Sequence, residues 1–573
     1  MAMGTIISKR KGKNGNLYWY YVESGRVDGK PRIVNQVYLG TAAKVAELVT
    51  EGSRPTPLSA TARAWGLPGA AWLAAVDSGL WDCLLDIWPE KQRSGPGVAH
   101  YLLLSAIHRL CSPGPKTEVA NWYSKSVLRR AWGFKPSRFT SQAFWDAFDS
   151  VDLDSPFPED DLSRAQLAAL RLWSKQGLIQ QRVLAYDSTN FHTYIDTKNE
   201  RCSLAQRGHS KQGHNNLKQI GLSYVMDGSS GIGLFHHTYP GNRADAEEFS
   251  ISLPFILEFF DRADIPRSDV TLVFDKGSAS MPNSLQLAES GIGWVAAVPW
   301  NQASEEIRSL PESTFSSCGP TLPGVRWAEA EGLVQGQTRR CVVMHSSTFQ
   351  AEQLHSLMGN ISKACAKLRT LSRDLDKPQR RARREQAVRT RIAEILAHQW
   401  LKSAIEVELA EPAPGTFSLQ FRIDNEALTN LVQFRLGRTV LTTTRAEWEP
   451  DAVIKAYHGQ EAVERSFRSL KQGAGPSWGP AYHWTDSKIR VHSFCCVLAM
   501  SLLNWLHAKV RKANLDMTTE RMVAELGGLQ EIVVLYPSRA ATGPKPTTTV
   551  DTRETLDQIQ LIEILELGRL RRP

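Results

Sequence analysis

The rhythm of hydrophobic and polar positions changes several times along the chain. Residues 5–39 hold two β-branched and aromatic runs, NLYWYYVES and KPRIVNQVYLG, with turn-forming residues, GRVDGK, between them. That pattern predicts a small β unit over residues 1–55. Residues 56–180 repeat Ala, Leu and Trp at helical spacing and predict helices. Within them, SVLRRAWGF and KPSRFTSQAFWDAFDSV read as two short helices around a Pro-containing turn. A helix-turn-helix and a plain helical bundle both fit that reading.

At residue 181 the period shifts from helical to strand-like. RVLAYDSTNFHTYI reads as a strand running into polar residues. LKQIGLSYVMDGSSGIGLFHHTYPGN reads as a hairpin, with DGSSG as its turn. RADAEEFSISLPFILEFFDRA is an amphipathic helix with an acidic first turn, and DVTLVFD is a buried strand. MPNSLQLAESG is a second helix, and IGWVAAVPW a further buried strand. The order β-β-β-α-β-α-β predicts a mixed sheet with helices on its faces, over residues 181–300. It is the element order of the RNase H-like fold.

Residues 301–435 break the alternation and read as an insertion. Residues 436–510 return to the core, with the strand TVLTTTR, a polar helix YHGQEAVERSFRSLKQ and an apolar helix over 480–510. Residues 511–573 read as a helical C-terminus. Its amphipathic tail, TLDQIQLIEILELGRLRRP, suits packing or dimerisation. The longest apolar run, FCCVLAMSLLNWL, is too short to span a bilayer and contains Asn504.

The chain has 573 residues, enough for two to four domains, and its formal charge is +9. The charge is concentrated. Between Lys363 and Lys402 twelve Lys and Arg face four acids, a net +8. Arg380, Arg381, Arg383 and Arg384 form its densest part. A polyanion-tracking surface is the functional reading, and a solvated helix pair the plain one. None of the eight cysteines forms a Cys-x-x-Cys pair, and the chain opens without an apolar leader. A cytosolic protein without disulfides is expected. His192, Cys202, His209 and His214 match no usual zinc spacing.

Three carboxylates carry the candidate chemistry. Asp187 ends one apolar strand and Asp275 another, and ligands of open α/β sheets gather at such strand ends. A lone Asp there is more often a turn cap; two on neighbouring strands favour a shared cation. Read as one helix, YHGQEAVERSFRSLKQ puts Tyr457, Gln460, Glu464, Arg468 and Lys471 on one stripe. Ala456, Val463, Phe467 and Leu470 form an adjacent apolar stripe that can seat the helix on the sheet. Three carboxylates suit Mg²⁺ or Mn²⁺, and two such ions serve phosphoryl transfer. Arg468 and Lys471 could hold phosphates beside them. A carboxylate-pair glycosidase is the competing chemistry, but it needs no basic segment.

AYDSTN, VFDKGSAS and YHGQEAVERSFRSLK together resemble bacterial insertion-sequence transposases of the DDE class, in the group with a Tyr-x2-Arg-x3-Glu-x6-Lys signature. Tyr457, Glu464 and Lys471 match that spacing, and Gln460 stands where the signature has Arg. RGHSKQGHNNLKQIGL, HTYPGNRADAEEF and YHWTDSKIRVH are similar to the long-chain branch of the same group. The resemblance implies Asp187, Asp275 and Glu464 as ligands of two Mg²⁺ or Mn²⁺ ions in an RNase H-like core with an insertion before its last catalytic helix. It implies double-stranded DNA partners, namely the element's terminal inverted repeats and the target. It implies a homodimeric synaptic complex, a cytoplasmic location at the bacterial nucleoid and no membrane. It makes Trp300 a candidate to stack on a flipped base, with a core tryptophan as the alternative. A DNA-binding relative that no longer cuts is the second functional class.

Overall fold

The computed structural model describes residues 3–10, 17–27, 30–45, 57–90, 95–179, 183–209, 213–377, 384–472, 475–536 and 547–571. Contacts divide the chain into two compact units. One comprises Met1–Ala64 and Leu529–Glu554, the other Trp65–Gly528 and Thr555–Pro573.

The smaller unit holds two antiparallel sheets. In the first, β1 (Met3–Arg10), β2 (Leu17–Val27) and β3 (Lys30–Thr41) form a meander. In the second, β4 (Ser59–Ala64) pairs with a strand from the far end of the chain, Gln530–Leu535, which pairs in turn with Thr547–Asp551. The C-terminal region read as helical therefore contains two strands. The β-branched run in Gln530–Leu535, QEIVVL, is their signal. The amphipathic tail does form a helix, Leu556–Ile564, and belongs to the larger unit. There Gln558 donates to the Glu525 carbonyl at 2.9 Å, and Arg569 pairs with Asp77 at 2.6 Å.

In the larger unit, residues 66–175 fold as helices, including α1 (Val98–Cys111). Phe139, Phe144 and Phe148, from the stretch with two readings, are buried against Tyr101 and Tyr123 of this region. That is how a bundle packs.

The central sheet has nine strands. Five of them are β5 (Val183–His192), β6 (Gln219–Asp227), β7 (Gly233–Pro240), β8 (Thr271–Phe274) and β9 (Gly293–Val298). They lie in the order β7-β6-β5-β8-β9. β5, β6 and β7 form an antiparallel meander; β8 and β9 run parallel to β5. This is the RNase H-like core. The predicted hairpin turn is present between β6 and β7, where the buried Asp227 carboxylate accepts from the Ser230 backbone N–H at 2.7 Å and Gly231 takes φ +72. Only a residue without Cβ adopts that φ at no cost.

Alternation within the strands divides two cores. Leu272, Phe274, Trp294 and Ala296 face α2 (Asp245–Arg262), whose Phe249, Leu253, Ile256, Phe259 and Phe260 are buried against them. Val273, Val295 and Ala297 face the opposite side, with Leu441, Val453 and Ile454. Each fully buried Phe or Leu contributes about 1.5–3 kcal/mol, so the two layers clamp the strands that carry Asp187 and Asp275.

The sheet does not stop at the fifth strand as the sequence pattern implies. β10 (Ser316–Ser317), β11 (Val325–Val334), β12 (Gln337–Ser346) and β15 (Arg438–Thr443) extend it in the order β10-β11-β12-β15-β9. Gln335 and Gly336, with φ +50 and +78, make the tight turn between β11 and β12. Polar residues such as Glu329, Glu331, Arg339 and Arg340 mask those strands in the sequence, because this end of the sheet is only partly covered. What leaves the sheet within 301–435 is α3 (Ser347–Asp376), α4 (Glu385–Ile395), the β13–β14 hairpin (Ile405–Ala413 and Thr416–Ile423) and α5 (Asn425–Phe434). These share a core built on Leu357, Leu368, Leu371, Phe417 and Leu419.

Two helices return to the core, α6 (Pro450–His458) and α7 (Gln460–Gln472), followed by α8 (Asp486–Lys512). α8 is long and apolar enough by composition to cross a membrane, but 83% of its apolar window is buried inside this unit as a core helix. The eight cysteines are free thiols.

Candidate active site

The parallel register sets the first two carboxylates side by side. Tyr186 of β5 is opposite Phe274 of β8, so Asp187 and Asp275 are the next residues on adjacent strands. β8 ends there, while β5 continues to His192 beside β6. The Asp187 carboxylate accepts from the Ser188 backbone N–H at 2.7 Å. On the other side of the strand, the Ser188 hydroxyl donates to Asp245 at the start of α2, at 2.9 Å. Asn283 ties the loop after Asp275 to the same helix start, donating to the Ser278 and Ala246 carbonyls at 2.7 and 2.9 Å. Asp245 and Asn283 were invisible in the sequence as site-supporting residues, because the residues they join are distant along the chain.

The polar helix read as one element is two. It breaks at Gly459, so Tyr457 belongs to α6 and Glu464 to α7. A Cβ on Gly459 would stand 2.9 Å from the Ala456 carbonyl oxygen, so glycine fits where the two helices meet. Val463, Ser466, Phe467 and Leu470 are buried, as the apolar stripe requires. Gln460 is buried too, and its Nε2 donates to the Tyr186 carbonyl at 3.3 Å. The residue that departs from the signature thus ties α7 to the strand bearing Asp187. Replacing Gln460 with Leu is expected to cost about 1 kcal/mol of stability through the lost hydrogen bond. DNA affinity should stay unchanged, which parallel denaturation and binding titrations would check.

Tyr457, Asp187, Asp275 and Glu464 converge electrostatically. Burial drives the Tyr457 phenol well above its ordinary pKa, and the charges of Asp275, Glu464 and Asp187 and a hydrogen bond with Asp275 push the same way. Glu464 is open to solvent on its outer side. Its carboxyl is nevertheless held above the usual range by desolvation first, then by Asp275 and Glu461, with Arg468 opposing. Accumulated negative charge of this kind favours a bound cation. Lys471, one face along, donates to the Thr189 hydroxyl, and its ammonium lies 5.9 Å from the centroid of Phe191. Arg468 is exposed beside Glu464.

The donor set fits a hard divalent cation: three carboxylates, one within β5, one just past the end of the adjacent β8 and one on α7. Among the described residues, no three His, Cys, Asp or Glu side chains close around a single point. The three carboxylates therefore stand as an open set.

A cavity of about 510 Å³ opens beside Asp275 and Tyr457, lined also by Trp300, Trp400 and Arg435. Trp300 is half-buried, with one part packed against the core of Val298, Ile307 and Val440 and the rest lining the cavity, so both readings of it hold in part. The Arg435 guanidinium lies 4.7 Å from the Trp300 ring centroid and 5.5 Å from that of Trp400. Sequence reasoning missed Trp400 and Arg435. Trp400 has φ +66, a costly backbone for a bulky residue, and nothing in its local sequence marks it. Of the basic segment, Arg384 is exposed just before α4; Arg380, Arg381 and Arg383 lie outside the described residues.

A family model described as "Transposase DDE domain" matches residues 179–476. That range contains all three carboxylates. No curated protein matches the chain. Among solved structures, the cryo-EM structure of the piggyBac transposase synaptic complex with hairpin DNA is similar, at 9% identity and a TM-score of 0.33, over 81% of this chain and 77% of that one.

Proposed function

Since this chain belongs to the transposase DDE-domain family, we propose that it binds the ends of a bacterial insertion sequence and catalyses metal-dependent DNA cleavage and strand transfer of the cut-and-paste type. The observation that carries this reading is the placement of Asp187 within β5 beside Asp275, just past the end of the adjacent parallel β8, with Tyr457 and Glu464 near enough to feel their charge. These three would hold Mg²⁺ or Mn²⁺, two ions to a site. When bound, such ions activate an attacking oxygen and stabilise a leaving oxygen at phosphorus.

The chain's own residues do the rest. Tyr457 hydrogen-bonds Asp275 and lies within the field of Asp187 and Glu464. Lys471, anchored on Thr189, and exposed Arg468 offer cations to the backbone phosphates that flank the scissile one. Arg384 and the other cations of the 363–402 segment extend that surface away from the site. Trp300, with Trp400 and Arg435, offers stacking faces for a base turned out of the duplex beside the carboxylates. Two chains acting as a homodimer would bring the two element ends together.

The test is strand cleavage of a labelled duplex carrying the element's own end. Cleavage is expected with Mg²⁺ and absent in EDTA, while DNA binding persists in both. Binding without cleavage at any metal concentration would leave a DNA-binding remnant and refute the enzyme.

A further inference from the structure

β5 outruns its parallel neighbour. Beyond Asp187 it is paired only with β6, and its open edge is covered by α7 and the segment that follows it: Lys471 bonds Thr189, and Phe191 stacks on Trp478 at 4.5 Å with the rings 13° apart. The overhang leads to Tyr194, whose side chain is 81% exposed. At roughly 3.3 Å per residue, Tyr194 lies roughly 20 Å from Asp187. That is about six base-pair steps of B-form DNA.

The loop beginning at Tyr194 is pinned to the segment that enters α8. Asn199 donates to the Trp484 carbonyl at 2.9 Å. The Asp486 carboxylate accepts from the Leu204 and Ser203 backbone N–H groups at 2.9 and 3.0 Å. The Arg201 guanidinium lies 5.5 Å from the Trp484 ring centroid. Tyr482, two residues before Trp484, is 67% exposed, and Trp484 itself 39%. Exposed Lys198, Arg201 and Arg207 lie along the same loop, with exposed Asp196 and Glu200 among them. Trp484 packs on Trp145 at 5.6 Å and Tyr194 meets His192 edge-on at 5.7 Å, yet Tyr194 and Tyr482 keep most of their surface in water, which is a cost unless something covers it.

We propose that this aromatic and basic surface, centred on Tyr194, Tyr482 and the Arg201–Trp484 pair, is a docking site for unpaired DNA next to the cleavage point. The proposal rests on the reading of the chain as a DNA-cutting enzyme and adds a surface to it. Two features select the occupant. Three exposed cations, Lys198, Arg201 and Arg207, outnumber the exposed acids Asp196 and Glu200 of the loop and suit a phosphate backbone, and exposed tyrosine and tryptophan faces offer stacking that paired bases inside a duplex cannot accept. The loop continues from β5, the strand that bears Asp187.

The test uses the full-length protein in EDTA, so that no cutting intervenes. Two fluorescent probes are compared by anisotropy: a blunt duplex, and the same duplex with a tail of unpaired thymidines. Wild type is expected to bind the tailed probe about tenfold more tightly. The double variant Tyr194→Ala with Tyr482→Ala should lose that preference and keep its affinity for the blunt duplex. Tyr194→Phe with Tyr482→Phe should retain the preference, because stacking needs the ring and not the hydroxyl. Equal binding of both probes by wild type, or an undiminished preference in the alanine pair, overturns the proposal. If that happens while wild type still cuts with Mg²⁺, the surface falls and the enzyme stands. If wild type neither cuts nor binds either probe, both fall.

Discussion

Glu464→Gln is expected to abolish strand cleavage and to leave DNA binding intact, whereas Glu461→Gln is expected to cut at close to the wild-type rate. The two glutamates are three residues apart on α7 and differ in what surrounds them. Glu464 is held above its ordinary pKa by desolvation and by the charge of Asp275. Glu461 points outward and pairs with His458 at 3.2 Å, with two thirds of its side chain exposed. Removing one negative ligand from a carboxylate set that stabilises charge at phosphorus costs several kcal/mol in the transition state, about a thousandfold or more in rate. The amide keeps the shape of Glu464, so the helix stays seated by Val463, Phe467 and Leu470. Single-turnover cleavage of a labelled element end, beside a binding titration of the same probe, separates the outcomes. A dead Glu461→Gln beside an active Glu464→Gln would mean that α7 presents its other edge to the DNA.

The second large effect is on folding. Glu248, on α2, is fully buried beneath β6 and β7. Its carboxylate accepts from Arg243 at 2.7 Å, from the Ser252 hydroxyl at 2.6 Å and from the Ser223 hydroxyl at 3.0 Å, and lies 2.8 Å from His237 Nδ1. Burial alone would raise its pKa; the bonds from His237, Ser252 and Arg243 outweigh burial and hold it below the ordinary value. Glu248→Ala leaves these donors facing a void and is expected to cost about 3–5 kcal/mol. For a unit of this size the unfolding midpoint falls by on the order of 10 °C. The sign with pH follows from the depressed pKa. The contribution of Glu248 is whole above the unfolded glutamate value, and is lost as pH falls through the lower folded value. Wild type and Glu248→Ala should therefore differ most near neutrality and converge in acid, as thermal melts across pH would show.

How much of this was legible in the chain varies from element to element. The end of β8 before Asp275 could be read because the carboxylate closes an apolar run; Asp187 closes an apolar run too, but β5 continues past it to His192, so the expected strand end there is wrong and polar Ser188, Thr189 and Asn190 hid the continuation. The β6–β7 turn could be read because DGSSG contains the chemistry of its own turn. The break at Gly459 could not, since a lone glycine inside a helical pattern is tolerated at a cost of about 1 kcal/mol and does not by itself end the helix. β11 and β12 were obscured because the end of the sheet is half-exposed and its strands carry charge. Gln530–Leu535 was passed over for a longer amphipathic signal beside it. Trp400 and Arg435 line the cavity only after α3 to α5 have folded back on the sheet. Gln460, which stands where the resembled signature has Arg, donates to the Tyr186 carbonyl, a partner that spacing along the chain does not reveal.

The central claim is that Asp187, Asp275 and Glu464 share their metal ions. A titration of the protein with Mn²⁺, followed by the loss of the free-ion electron paramagnetic resonance signal, tests it without requiring turnover. The account predicts two bound Mn²⁺ per chain for wild type in the presence of DNA, with affinity sharply weakened in Asp187→Asn, Asp275→Asn and Glu464→Gln alike and unchanged in Glu461→Gln. Mn²⁺ binding that survives all three substitutions would contradict it.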